Sequence, residues 1–264
     1  MNFKNKIIWI TGASSGIGKA IALAFSEQES KLILSSRNLE KLEEVKQLCA
    51  YPDQVKLLKV DLDDYHNFDP LVQEAILLYN GIDILINNGG ISQRSLAIET
   101  KITVDTRIFN TNYFGTIALT KALLPYFVAK KEGHFVIITS VVGKIGTPLR
   151  SSYAASKHAL HGFFDSLRAE IHDDNIAVTL ICPGFVKTDV SKNALTGDGS
   201  RQNTMDKSTE NGLATEYFAK RMLKAVARKK QEVVIGGKLE VLAVYLKRFS
   251  PKVLAKLIRK AKVT

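Results

Sequence analysis

The chain has 264 residues, 45% of them hydrophobic and 24% charged, a length and balance that fit one globular α/β domain and exclude disorder. Two cysteines, Cys49 and Cys182, are too few for a disulfide scaffold or a cysteine metal cluster, and no uncharged apolar run approaches the roughly 18 residues of a membrane-spanning helix. The net charge of +11 is confined to one end: residues 1–200 carry 21 basic and 21 acidic side chains and residues 201–264 carry 16 and 5, which argues against a nucleic-acid-binding face spread over the body.

In chain order, strands are predicted at 6–11, 31–35, 55–60, 83–87, 134–140, 176–181 and 232–235. They are short β-branched runs without polar/apolar alternation, as strands buried on both faces are. Helical periodicity fills the gaps at 17–28, 39–49, 69–79, 104–130, 153–172 and 215–229. This βαβα alternation predicts a doubly wound parallel sheet of about seven strands, with its binding crevice at the carboxyl ends of the strands. Residues 1–237 then form one domain. Residues 189–214, polar and without period, are expected to be a movable wall over the crevice.

The first strand runs into Thr11-Gly12-Ala13-Ser14-Ser15-Gly16-Ile17-Gly18. Glycines there allow a tight turn and close approach of a pyrophosphate, and the helix that opens at Ile17 offers unpaired N–H groups and its positive dipole end. The spacing TGxxxGxG resembles that of the short-chain dehydrogenase/reductase family, and further landmarks carry the resemblance over roughly residues 5–190. Asp61 and Leu62 follow the third strand, where the family's Asp meets the adenine ring. Asn87-Asn88-Gly89-Gly90 is similar to the family's NNAG, with Gly89 in place of Ala, and Pro183-Gly184 with Thr188 matches the segment that closes over the nicotinamide amide. The resemblance implies a Rossmann-type fold and a nicotinamide dinucleotide held by Gly12, Ser14, Ser15, Gly16, Ile17, Gly18, Asp61, Leu62, Asn88, Gly90, Pro183, Gly184 and Thr188. The wording of ISQRS, NYFG, PLRSSYAASKHALHGFFDSLRAE and KNALTGDGS is similar to the dehydrogenase/reductase member 7 branch of that family.

The second strand ends Leu34-Ser35-Ser36-Arg37-Asn38, without the carboxylate that grips the ribose of NAD. Arg37 either holds a 2′-phosphate bidentately or caps the next helix. With no acid present to repel the phosphate, the expected cofactor is NADP(H), and Lys19 either assists or faces solvent.

Tyr153 and Lys157 stand at i and i+4 on one helix face. A nearby ammonium favours a phenolate, so Tyr153 is expected to have a lowered pKa and to act as acid/base. The family resemblance adds Ser140, which orients and polarises a substrate carbonyl, and Asn112, which holds a water chain. It also implies that Lys157 hydrogen-bonds the nicotinamide ribose. Substrate contacts are expected from Ser140 and Tyr153, with Arg94 of Ile91-Ser92-Gln93-Arg94-Ser95 pointing to solvent or receiving a carboxylate. His158 and His161 read as helix-surface residues and Cys182 as a buried filler, and no metal is expected.

The expected activity is hydride transfer between NADP(H) and a ketone, aldehyde or alcohol. A non-catalytic dinucleotide sensor is the alternative, although such proteins typically lose the Tyr or the Lys. A nucleic-acid partner is not expected, and helices 104–130 and 153–172 are the family's usual surfaces for a homodimer or homotetramer. Member 7 relatives carry an N-terminal membrane anchor. Here the first residues enter a strand with no secretory h-region, so a cytoplasmic protein is expected. In the extension 238–264, Val253, Leu254, Leu257, Ile258 and Ala261 fall on one helical face and Lys252, Lys256, Arg259 and Lys260 largely on the other. Residues 251–264 thus either meet an anionic membrane peripherally or pack on the body or a second subunit.

Overall fold

The structure, a computed structural model, describes residues 3–259 and residue 261. Seven parallel strands form one sheet: β1 (Ile7–Thr11), β2 (Lys31–Ser36), β3 (Val55–Lys59), β4 (Ile84–Asn87), β5 (Gly133–Ile138), β6 (Ile176–Pro183) and β7 (Glu232–Ile235). Their order is β3-β2-β1-β4-β5-β6-β7, so the chain reverses direction of winding between β1 and β4. All seven predicted strands are present, with ends shifted by one or two residues. The helices are α1 (Gly16–Ser26), α2 (Leu39–Gln47), α3 (Asp69–Leu77), α4 (Ile102–Phe109), α5 (Gly115–Lys130), α6 (Ser151–Glu170), α7 (Lys207–Glu210), α8 (Thr215–Ala227), α9 (Lys238–Phe249) and α10 (Pro251–Ile258).

Side chains alternate between two cores because successive strand residues face opposite sides of the sheet. Ile8, Ile10, Leu32 and Leu34 face α1 and α8, where Phe25, Phe218 and Met222 are fully buried. Trp9, Ile33, Leu85 and Phe135 face α5 and α6 and meet Leu123, Phe127 and Phe164. Burying each such side chain contributes about 1.5–3 kcal/mol. The indole N–H of Trp9 donates to Ser35 Oγ at 2.8 Å, so the one tryptophan leaves no polar atom stranded in the core.

His134 lies on β5 with its Nε2 2.8 Å from Thr179 Oγ1 of β6. Burial, with help from the Lys229 charge, pushes its pKa down to about 3. The unfolded chain therefore binds a proton that the folded one refuses, and stability falls as pH drops from the ordinary value of 6.5 toward 3. Over that whole interval the loss amounts to roughly 4–5 kcal/mol. His134→Gln, which keeps a partner for Thr179, is expected to flatten the acid limb of urea midpoint against pH. Identical limbs in the two proteins would show that other groups drive acid unfolding.

The predicted single helix 104–130 is in fact a rod of α4 and α5 joined by a π-helical turn at Asn110–Phe114. Such turns insert one residue into the helical ladder and recur at functional sites. The extension after β7 forms two helices rather than one. Leu254 and Ile258 of α10, with Ala243, Val244 and Leu246 of α9, pack against Val141 and Ile145. Val253 and Leu257 are exposed, and so is Ala261. The single apolar face read from the sequence is thus divided between the body and solvent. Lys260 and residues 262–264 lie outside the described residues.

Candidate active site

The carboxyl ends of β1, β4, β5 and β6 converge where the winding reverses, the expected place for a ligand in an open α/β sheet. At the end of β1, Gly12 adopts φ +63°, and a Cβ there would lie 2.7 Å from Gly89 Cα. A Cβ on Gly18 would lie 2.2 Å from the Gly12 carbonyl oxygen, so α1 packs against its own approach turn with room only for hydrogen. Ser15 sits at the N-cap of α1 with no side-chain cap, and the first-turn N–H groups face the crevice without a local acceptor. Ser14 and Ile17 are half-buried beside it and Ser15 is exposed. This is a cradle for an anion such as a pyrophosphate.

Asn88 braces the cradle from β4. Its Nδ2 donates to the carbonyls of Thr11 and Gly12 at 3.0 Å each, while Thr11 Oγ1 accepts from the N–H groups of Asn88 and Gly89 at 3.1 Å. Leu62 is buried, with Cδ1 2.5 Å from where a Cβ on Gly89 would stand, and Asp61 caps its own turn by accepting from Asp63 N at 3.1 Å. Thr188 reaches over the start of α1, its methyl 3.2 Å from a would-be Cβ on Gly16. Gly184, after Pro183, ties β6 to β7 through its N–H to Ile235 O at 2.9 Å. At the end of β2, Arg37 is exposed and makes no hydrogen bond or ion pair with the described residues. The cap of α2 is Asn38, whose Oδ1 accepts from Lys41 N at 2.9 Å, so Arg37 is not needed for it.

The second half of the site is built by α6 and the π turn. Ser140 begins a short 3₁₀ turn directly after β5; its hydroxyl accepts from Val142 N at 3.2 Å and donates to Pro183 O at 3.5 Å. It also lies close enough to Tyr153 to pull the phenol's pKa down somewhat. Lys157 is buried with Nζ 2.9 Å from Ile138 O and 5.9 Å from the Tyr153 ring centre. Burial brings its pKa down to about 8. The side chain of Asn112, inside the π turn, is fully engaged. Oδ1 accepts from Ile91 N at 2.8 Å, and Nδ2 donates to Ile91 O at 2.9 Å and to Ser156 Oγ at 3.1 Å. It therefore locks the loop after Gly90 to α6, and the structure gives its amide no spare donor for a water chain.

The expected lowering of the Tyr153 pKa is not what the geometry produces. Burial raises it, and the groups that partly offset the rise are Arg150, Ser140 and Arg94, not Lys157. Arg94, expected at solvent, is buried: its Nε donates to Asp206 Oδ2 at 2.6 Å, and Nη1 reaches Ser92 Oγ at 2.8 Å and Gln93 O at 2.6 Å. Arg150 Nη2 stands 3.6 Å from the same carboxylate, and its guanidinium lies over the Phe185 ring at 5.3 Å. Two guanidiniums thus face one carboxylate beside the phenol. Residues 189–214 are correspondingly fastened, with Leu195 bridged to Gln93 and to Arg201 and with Ser191, Ala194 and Asp206 buried.

Sequence reasoning passed over Arg150 and the work of Gln93. No local side chain caps α6; Gln93 Oε1 supplies the cap from another loop, accepting from Ser152 N at 2.9 Å and Tyr153 N at 3.3 Å. The sequence offered Ser151 and Ser152 ahead of a helix read from residue 153; the helix in fact begins at Ser151, so both serines lie inside its first turn and neither caps it. His161 is buried, not on the surface. Its ring stands between Cys182 Sγ (3.8 Å) and Glu232 Oε2 (3.4 Å), and Lys144 Nζ balances that carboxylate at 2.6 Å. His158 is exposed, as expected.

A glycine cradle at the β1–α1 turn beside a Ser–Tyr–Lys cluster defines an oxidoreductase of dinucleotide-binding fold. The family model of the short chain dehydrogenases matches residues 6–198. The chain is 44% identical over 258 residues to the dehydrogenase/reductase SDR family protein 7-like of Anopheles gambiae, covering 96% of this chain and 81% of that protein. It is 42% identical over 252 residues to dehydrogenase/reductase SDR family member 7B of Xenopus laevis, covering 93% and 78% respectively. A solved short chain dehydrogenase/reductase from Burkholderia phymatum in complex with NAD superposes with a TM-score of 0.84 over 96% of both chains, at 21% identity. The chain belongs to the short chain dehydrogenase family and is an oxidoreductase of that family.

Proposed function

We propose that the protein is an NADP(H)-dependent oxidoreductase that interconverts a ketone or aldehyde and the corresponding alcohol. The observation that carries the reading is one crevice holding both the uncapped start of α1 and Tyr153 set between Ser140 and Lys157. The residues present fit a dinucleotide: Gly12 and Gly18, with no room for a Cβ, let the turn fold tightly against Asn88 and Gly89 at the uncapped start of α1, and Gly90 keeps the space beside Asn112 and Lys157 open. At the end of β2 the exposed, unengaged Arg37 and the missing carboxylate support a 2′-phosphate over a free ribose hydroxyl.

When bound, a nicotinamide supplies or accepts the hydride. The chain's own groups manage the oxygen. Ser140 Oγ donates to a carbonyl oxygen and fixes its direction. Tyr153, whose raised pKa keeps its proton at neutral pH, gives that proton to the oxygen as the alcohol forms. In the reverse direction Tyr153 takes the alcohol proton, and the Arg150 and Arg94 charges stabilise the phenolate. Lys157, pinned on Ile138 O, is the donor for ribose hydroxyls. The side chains needed for turnover all remain, so the sensor reading has no observation in its favour.

The test is a parallel fluorescence titration with NADPH and NADH, then NADPH oxidation against a panel of ketones and aldehydes. Tighter NADPH binding with turnover of a carbonyl compound is the expected result. Tight binding without turnover across the panel would transfer the reading to a sensor, and no binding of either nucleotide would overturn it.

A further inference from the structure

We propose that α9 and α10 form a docking surface for an anionic lipid bilayer, on which the protein lies without spanning it. The proposal stands apart from the reading of the reaction. These two helices expose Leu239, Leu242, Tyr245, Phe249, Val253 and Leu257, with Leu239 80% and Phe249 77% accessible. Nowhere else among the described residues do as many large apolar side chains reach solvent in so short a stretch. Leu242, Tyr245 and Phe249 follow one another at i, i+3 and i+7 and so share one helix face, and Val253 and Leu257 are i and i+4 on the next helix. The opposite side of the pair is already occupied, seated on Val141 and Ile145. The exposed apolar face therefore has no partner among the described residues.

Its charge says what kind of partner fits. Lys238, Lys247, Arg248, Lys252, Lys256 and Arg259 are exposed along the same two helices, Lys247 at the groove beside Gly146, and none of them forms an ion pair among the described residues. Glu240, the one acid in the two helices, is turned inward: its Oε1 accepts from Phe185 N at 2.9 Å. A second copy of this face would bring six cations against six, which opposes self-association through it. An anionic bilayer offers both an apolar interior for Leu, Tyr and Phe and phosphate or carboxylate headgroups for the cations. Among the described residues no helix is long and apolar enough to cross a membrane, and helices of 12 and 8 residues suit the plane of an interface. The contact would bring the bilayer close to the reaction centre, because Val141 adjoins Ser140 and Phe185 stacks on Arg150.

The experiment is flotation of the full chain with phosphatidylcholine vesicles, with and without phosphatidylserine. The wild type is expected to float with the phosphatidylserine vesicles alone and to be released as salt is raised. Two variants carry the test: Tyr245→Ser with Phe249→Ser, and Lys247→Glu with Arg248→Glu and Lys252→Glu. All five side chains are exposed, so both variants should keep the wild-type circular dichroism and unfolding midpoint. Each is expected to lose binding, the charge-reversed protein by on the order of a hundredfold or more. Wild type left unbound, or variants that bind as well as wild type, would overturn the proposal. So would a protein that ignores vesicles but passes from dimer to monomer on Tyr245→Ser with Phe249→Ser, because the face would then be a contact between copies.

Discussion

Tyr153→Phe is expected to lower turnover of any carbonyl substrate by about 10²–10⁴-fold, the usual contribution of a positioned acid or base. NADPH binding should stay close to wild type, because the ring remains and only the hydroxyl near Ser140 is removed. The assignment also fixes a pH dependence. Burial holds the Tyr153 proton above its ordinary range, so the phenol that donates in reduction is the stable form at neutral pH. Carbonyl reduction should therefore be sustained near neutrality, whereas alcohol oxidation, which needs the phenolate, should rise into the alkaline range. In Tyr153→Phe both limbs should vanish into a low, flat background. A variant that keeps wild-type turnover, or one that loses the nucleotide, would remove Tyr153 from the role of proton donor.

Arg37→Asp is expected to reverse the cofactor preference. A hydrogen bond to a charged group contributes about 1.5–3 kcal/mol, so NADPH affinity should drop by roughly 10–150-fold, with further loss from repulsion between a carboxylate and a 2′-phosphate. NADH binding should improve, because a carboxylate at the end of β2 is the acceptor that a free ribose asks for. The fold should not suffer, since Arg37 is exposed and α2 is capped by Asn38. Binding isotherms for both nucleotides against both proteins decide the matter. An unchanged ratio would assign the phosphate to another cation, Lys19 being the nearest in sequence to the glycine turn.

The sheet was legible because most of its strands are short apolar runs closed by a polar or glycine residue, and such runs have few alternatives once a 264-residue chain must bury them. The glycine turn and the Tyr153–Lys157 pair were legible because each is a short spacing along the chain, whereas Ser140, on another element, was singled out by the family resemblance. What lay beyond sequence reasoning depends on encounters between distant segments. The π turn at Asn112 does not break the apolar pattern of the rod that contains it. Arg94 and Asp206 are 112 positions apart, and either alone reads as a solvated charge. The Tyr153 proton affinity is set by burial and partly offset by Arg150, a residue before the helix and outside the i, i+4 logic that singled out Lys157. The burial of His161 likewise follows from β7 closing the sheet beside α6, a neighbour that no local periodicity announces.

The brace between Thr11 and Asn88 has a thermodynamic corollary. Gly-rich turns are the most mobile segments of a chain, yet this one is held by four hydrogen bonds to the end of β4, all made within the chain itself. The protein has met that conformational cost while folding, with the stability of the sheet behind it. A dinucleotide arriving at the crevice meets a cast mould, and the freedom lost on association is chiefly its own, together with that of the loose Arg37 side chain at about 0.5–1.5 kcal/mol for each immobilised group. The same hydrogen bonds that keep the sheet's two halves in register thus serve as stored affinity for whatever the cradle holds.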